Sequence, residues 1–254
     1  MSQTPRLYQN TELFKGQVLI LRDSAHHYIT NVLRQRKDQA IWLFNGRYGD
    51  FWSIITEQTK RYTQVVIQEY YPKYSASSLT IELAQVVARG DKMDWVIQKA
   101  VELGVSTITP LISARCGVKL PNNRWQKKYQ HWQNIMISAC EQCGRVDLPL
   151  LNQPINLSDW LVHCRAHYRI VLHPHYHQSV TKDKPINNLA LLVGPEGGFN
   201  EQEIKLAQQY DFICRPLGPR ILRTETAALV AMSQLQSLYG DLSDNPILSN
   251  ANES

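Results

Sequence analysis

No stretch of this 254-residue chain approaches the roughly 18–20 apolar residues needed to cross a bilayer; runs such as Ala227–Met232 and Leu189–Val193 stop far short. The opening MSQTPRLYQN lacks the apolar core of a secretory signal. Cysteine is scarce. Five thiols, an odd number, indicate no disulfide framework and fit a reduced, cytoplasmic chain without membrane attachment. Neither GxGxxG nor GxxxxGK[ST] occurs, which argues against a dinucleotide or nucleoside-triphosphate enzyme. Cys140-Glu141-Gln142-Cys143 has no second CxxC to complete four ligands, so no metal is expected. What the chain does have, 43% hydrophobic and 9% aromatic residues, excludes a disordered polymer.

Positive charge is modest and unevenly spread. Residues 1–72 carry nine basic and six acidic side chains, a net of +3, whereas residues 73–254 carry 18 and 16, a net of +2. The denser charge at the N-terminal end suits an RNA-docking module with Arg6, Arg22, Arg34, Arg36 and Lys37 as candidate phosphate contacts; an ordinary basic surface is the plain alternative. Val18–Leu21, Ala40–Phe44, Phe51–Thr56 and Tyr62–Ile67 are short β-branched or aromatic runs divided by turn signals such as Asn45-Gly46 and Gly49-Asp50, the pattern of a small barrel or sandwich. His26–Lys37 interrupts them with helical spacing, and its terminal cations also suit a helix C-terminus. The predicted organisation is a β domain over 1–72, a linker over 73–78, an α/β domain over 79–242 and a polar tail over 243–254.

Beyond the linker, strands and helices alternate. Strands are predicted at Leu79–Val87, Val105–Ile112, Tyr168–Leu172, Leu189–Val193 and Ile213–Leu217, and helices at Asp91–Leu103, Arg124–Cys143, Asn200–Tyr210 and Arg223–Tyr239. Two strand–loop–helix junctions carry chemistry. Gly194-Pro195-Glu196-Gly197-Gly198 follows a buried strand, and glycines there admit either a ligand against the backbone or merely a tight turn. Leu217-Gly218-Pro219-Arg220-Ile221-Leu222-Arg223-Thr224-Glu225-Thr226 follows another. Glu225 is then either a functional acid or a first-turn carboxylate favoured by the helix dipole.

These two loops, LVGPEGGFN and LGPRILRTETA, closely resemble the signature of the bacterial RsmE family, SPOUT-class methyltransferases of the N3 atom of a uridine in 16S ribosomal RNA. His26-His27 with Val32–Arg34, the Lys92–Val105 segment and Glu141–Arg145 also match the family's text in the right order. The resemblance implies a PUA-like β-barrel followed by an α/β domain with a deep trefoil knot, an exception to the rule against knots. It implies bound S-adenosylmethionine at Leu172, His173, Val193, Gly194, Gly197, Gly198, Leu217, Gly218, Ile221, Leu222 and Thr226, with Arg223, Glu225 and Glu196 as candidate catalytic residues. It further implies 16S RNA or the small ribosomal subunit as partner, and a homodimer.

Uracil N3 must lose a proton before it attacks a methyl sulfonium, so the site needs a base or a cation that stabilises the developing anion. Arg223 suits the second task, and Glu225 or Glu196 the first. Against this stand a tRNA-directed enzyme of the same class and a non-catalytic dimeric RNA-binding protein. The alternating His173, His175 and His177 are read as a loop beside the cofactor rather than as a metal cluster, because Pro174 breaks the run. Trp125, Tyr129 and Trp132 are read as packing rather than as a base-stacking platform.

Overall fold

The computed structural model describes residues 4–47, 49–74, 76–118, 121–174 and 186–243. The 244–254 part of the expected tail, Ser75 of the expected linker, and His175 and His177 lie outside the described residues. The chain forms two compact units, Met1–Ala76 with Ile137–Leu148, and Ser77–Met136 with Pro149–Ser254.

The first unit contains β1 (Arg6–Tyr8), β2 (Val18–Leu21), α1 (Asp23–His27), β3 (Ala40–Phe44), β4 (Asp50–Gln58) and β5 (Thr63–Tyr71). They make a five-stranded sheet in the order β1-β3-β4-β5-β2. Period-2 alternation sends Ile41, Leu43, Phe51, Ile55, Val65 and Ile67 to one face, where Leu7, Leu13, Leu21 and Ile29 complete the core. Register shifts at Trp52/Ser53 and Ile55/Glu57 break the β4–β5 ladder, and such bulges add twist. Gly49 has a φ of +98°, and a Cβ there would collide with the Tyr71 carbonyl, so the β3–β4 turn needs glycine at that point.

The helix expected over His26–Lys37 is shorter and starts earlier. After α1 the turn over Tyr28–Val32 is wide, with Leu33 N–H donating to the Tyr28 carbonyl, and Arg34 adopts a φ of +54° that ends it. Thr30 contributes by returning its hydroxyl to the His26 carbonyl at 2.9 Å. Arg34, Arg36 and Lys37 therefore stand exposed beyond the helix, not in its last turn; Arg22, the residue before α1, is exposed too, with its guanidinium 5.5 Å from the Tyr62 ring centroid.

Arg6 corrects the expected set of phosphate contacts. Its side chain is 9% exposed and pairs with Asp50 at 2.6 Å. The same guanidinium donates to the Cys140 carbonyl at 2.7 Å and the Arg145 carbonyl at 3.3 Å, and lies over the Phe44 ring. Its donors are committed inside the unit. The C-terminal end of the longest helix is thereby fastened to the first strand, which explains why Ile137–Leu148 counts with the β unit.

The second unit contains β6 (Thr80–Val86), α2 (Lys92–Glu102), β7 (Thr107–Ile112), α3 (Asn122–Cys143, whose last turns count with the first unit), β8 (Leu150–Leu151), β9 (Ile155–Asn156), α4 (Leu157–His163), β10 (Tyr168–Leu172), β11 (Asn188–Val193), α5 (Glu201–Gln209), β12 (Ile213–Arg215) and α6 (Thr224–Tyr239). Its sheet order is β12-β10-β11-β6-β7-β8, with β9 also on β7, and every pair is parallel. Apolar runs such as Ala190–Leu192 are fully buried, as a sheet covered on both faces requires. The Asn200/Glu203 capping box opens α5, with reciprocal bonds of 2.8 and 2.9 Å. Trp132 is completely buried with its indole N–H on Asp94 at 3.1 Å, and the Tyr129 hydroxyl donates to the Leu151 carbonyl, so these aromatics pack rather than stack bases. The fold is thus of the α/β class, preceded by a curled β-sheet unit. No helix among the described residues is long and apolar enough to cross a membrane.

Removing one partner of a well-buried ion pair leaves the other charge stranded. Arg6→Ala should lower the unfolding free energy by about 3 kcal/mol in urea denaturation. An unaltered denaturation midpoint would show that the pair carries no stability.

Candidate active site

Parallel pairing puts the carboxyl ends of β12, β10 and β11 side by side, and the three loops that leave them enclose a cavity of about 690 Å³. Leu172 and His173 line it from the first loop, Val193 through Phe199 from the second, and Leu217 with Arg220–Thr224 from the third. His173 N–H continues the ladder by donating to the Arg215 carbonyl at 3.0 Å. Of the expected cofactor-contacting residues, Gly218 and Thr226 do not line the cavity. Gly218 instead supplies a φ of +75° to its loop. On α6 the helical period turns Thr224 and Ala227, three apart, toward the cavity and leaves Thr226 off that face.

The glycine-rich loop is shaped by specific contacts. A side chain at Gly194 would press on the Phe199 ring at 3.1 Å, and Gly198 has a φ of +64°. Arg115 donates to the Gly197 carbonyl at 2.9 Å. The Thr224 hydroxyl donates to the Gly194 carbonyl and accepts from the completely buried Gln85 amide at 2.9 Å. That chain of bonds joins β6, α6 and the loop after β11.

Of the three candidate catalytic residues, Arg223 and Glu196 line the cavity and Glu225 does not. Glu196 pairs with Lys92 at 3.0 Å and accepts from the Arg89 backbone N–H at 3.2 Å. Burial pushes its carboxyl up, but these bonds and the lysine charge outweigh that and hold it below the usual carboxylate range, leaving an ionised, weakly basic group. Glu225 lies 3.9 Å from the same ammonium, and its Oε2 is buried without a hydrogen-bond partner. Lys92, Arg115 and Gln85 were not identified as site residues from sequence. The available signal was position: each lies on or just beyond β6 or β7, whose carboxyl ends share the sheet edge with the three loops.

The two CxxC thiols differ. Cys143 is exposed, whereas burial pushes the Cys140 thiol up to about 12. Among the described residues no group of three or more His, Cys, Asp or Glu is placed to hold a metal.

Comparison with known proteins meets this geometry from another side. Residues 75–236 match the model of the RNA methyltransferase domain family. A curated relative from Buchnera aphidicola (subsp. Schizaphis graminum), Ribosomal RNA small subunit methyltransferase E, is 41% identical over 94% of this chain and 98% of its own length. The chain belongs to the ribosomal RNA small subunit methyltransferase E family. Within this methyltransferase E family, a Neisseria gonorrhoeae structure bound to S-adenosyl methionine is 36% identical with a TM-score of 0.86, covering 94% of this chain and 99% of that one. A Legionella pneumophila methyltransferase, solved with bound cofactor SAM, is 40% identical with a TM-score of 0.90 at the same coverage.

Thr224→Val would remove the hydroxyl that both Gln85 and Gly194 use, leaving buried polar groups unpaired. A loss of about 1–3 kcal/mol is expected, read as a lower denaturation midpoint; an unchanged midpoint would show that the bonds carry no stability.

Proposed function

We propose that this chain transfers a methyl group from S-adenosylmethionine to N3 of a uridine in 16S ribosomal RNA. The observation that carries the reading is the convergence of three loops on one cavity in a chain of the methyltransferase E family. About 690 Å³ is ample for a nucleoside-sized ligand, and glycines at 194, 197 and 198 let it approach the backbone closely. Leu172, His173, Val193, Leu217, Ile221 and Leu222 supply further walls. Gly218 and Thr226 act indirectly, through the shape of the third loop and the first turn of α6.

The cofactor supplies an already activated methyl group, so no metal is needed and the protein's work is placement and electrostatics. Arg223 cannot serve as a base, because a guanidinium stays charged at neutral pH. Its role is to stabilise the negative charge that appears on uracil as the N3 proton departs. Of the two acids only Glu196 lines the cavity, and Lys92 and Arg89 N–H hold its carboxyl below the usual carboxylate range, which makes it a weak acceptor for that proton; Glu225 pairs with Lys92 off the cavity wall.

The exposed Arg22, Arg34, Arg36 and Lys37 are assigned to the RNA backbone, with residues 1–72 as the docking module and 79–242 as the methyltransferase domain. The substrate is 16S RNA, free or within the small subunit. The active form is a homodimer in the cytoplasm.

Mapping N3-methyluridine in 16S RNA from cells with and without this protein tests the activity: a single modified uridine should vanish with the protein, and an unchanged map would overturn the assignment. Arg223→Ala should slow single-turnover methylation by about 2–4 powers of ten, with a far smaller change in cofactor affinity and partial recovery at higher pH, where more uracil is ionised. Equal losses of rate and cofactor binding would make Arg223 a binding residue. Neutralising Arg34 and Arg36 should flatten the salt dependence of RNA binding while cofactor affinity holds; an unaltered slope would move the RNA surface elsewhere.

A further inference from the structure

Among the described residues five cations line the cavity, Lys92, Arg115, Arg215, Arg220 and Arg223, and the roles assigned so far leave Lys92 out. Lys92 opens α2, just after the segment that leaves β6, and it lines the same cavity as Arg223. Its ammonium lies 3.0 Å from Glu196 Oε1 and 3.9 Å from Glu225 Oε2, a hydrogen bond and an ion pair. An ammonium has three N–H donors. Glu196 takes one, and among the described residues no other acceptor stands within hydrogen-bond distance of Lys92. Two carboxylates from separate elements thus hold a cation at the cavity wall with donors to spare, while Glu225, one of those carboxylates, does not itself line the cavity.

We propose that Lys92 is a second catalytic cation, donating to a carbonyl oxygen of the target uracil. The inference rests on uracil N3 being the methyl acceptor. N3–H lies between two carbonyl groups, and when that bond breaks, with the proton passing to a base or to water, the charge left behind spreads onto both oxygens. Arg223 serves one oxygen and Lys92 the other. The N3 electron pair then forms the bond to the methyl carbon as the methyl–sulfur bond breaks, its electrons remaining on sulfur. A fixed donor acts most strongly where charge develops, so Lys92 lowers the barrier more than it tightens ground-state binding. The flanking acids supply orientation: they place a long, rotatable side chain that would otherwise sample many rotamers.

A purely structural role makes a different prediction. If Lys92 served only to tie the glycine-rich loop to the start of α6, its loss would leave Glu196 and Glu225 unneutralised and loosen the cofactor cavity itself.

The test uses the full chain with Lys92→Met and Lys92→Arg, reading cofactor affinity by calorimetry, RNA affinity, and single-turnover methylation of RNA carrying uridine or 5-fluorouridine at the target. Lys92→Met should lower the rate about 100-fold, with both affinities within about threefold, and Lys92→Arg should recover most of the rate. Because 5-fluorouracil has a more acidic N3, it needs less help and should shrink the Lys92→Met defect by about tenfold. A loss of cofactor affinity matching the loss of rate, or a defect of equal size on both RNAs, overturns the catalytic role. Absence of N3-methyluridine with the unaltered protein overturns the underlying reading, and this proposal with it.

Discussion

β10 hydrogen-bonds in parallel to β11 on one side and to β12 on the other. Parallel pairing leaves no choice about where the chain exits: all three strands end at the same edge, and their loops must share the space beyond it. Everything chemical in the second unit follows from that placement. Glycines at 194, 197 and 198 keep one loop thin, the φ of +75° at Gly218 shapes another, and α6 begins at the cavity with Arg223 and Thr224 on its wall. The neighbouring β6 adds Gln85 and, after a short connection, Lys92.

The polar groups at this edge divide into two layers. The inner layer is uncharged and buried: Gln85, Thr224 and the Gly194 carbonyl form one chain of hydrogen bonds. Such a network is worth most where water is excluded, and it fixes the loop that a ligand's backbone contacts depend on. The outer layer is ionic. Lys92 joins Glu196 and Glu225, while Arg115 braces Gly197 from the far side of the loop. Half-exposed ion pairs add little to stability, so their consequence lies in the field they set at the cavity mouth. On the cavity wall itself Lys92, Arg115, Arg215, Arg220 and Arg223 face one carboxylate, Glu196, so the field there is positive.

Much of this was legible in the amino-acid sequence, and the reasons differ by element. β10 and β11 carry the short apolar runs Ile170–Leu172 and Leu189–Val193, and β6 and β7 are mostly buried strands rich in apolar and β-branched residues; α2 and α6 end within a residue of the predicted Leu103 and Tyr239. The short strands β1, β8 and β9, of two or three residues, carry no periodic signal, and α4 is only seven residues long. The wide turn at Tyr28–Val32 and the positive φ of Arg34 are likewise silent in a pattern of apolar spacings. At the site, the glycine and proline punctuation marked both main loops. What sequence could not reveal is long-range pairing: that Arg6 is spent on Asp50 and on the Cys140 carbonyl, or that Lys92 meets Glu196 across 104 positions.

The account turns on the cavity at the carboxyl ends of β10, β11 and β12 being where the methyl donor sits. A crystal structure of this protein grown with S-adenosylhomocysteine tests that most directly. The account predicts the ligand within the space bounded by Gly194–Gly198 and Leu217–Leu222, its ribose and base against loop backbone and its sulfur toward Arg223 and Lys92. Ligand density elsewhere on the molecule, or sulfur on the side of the cavity away from those two cations, would contradict it.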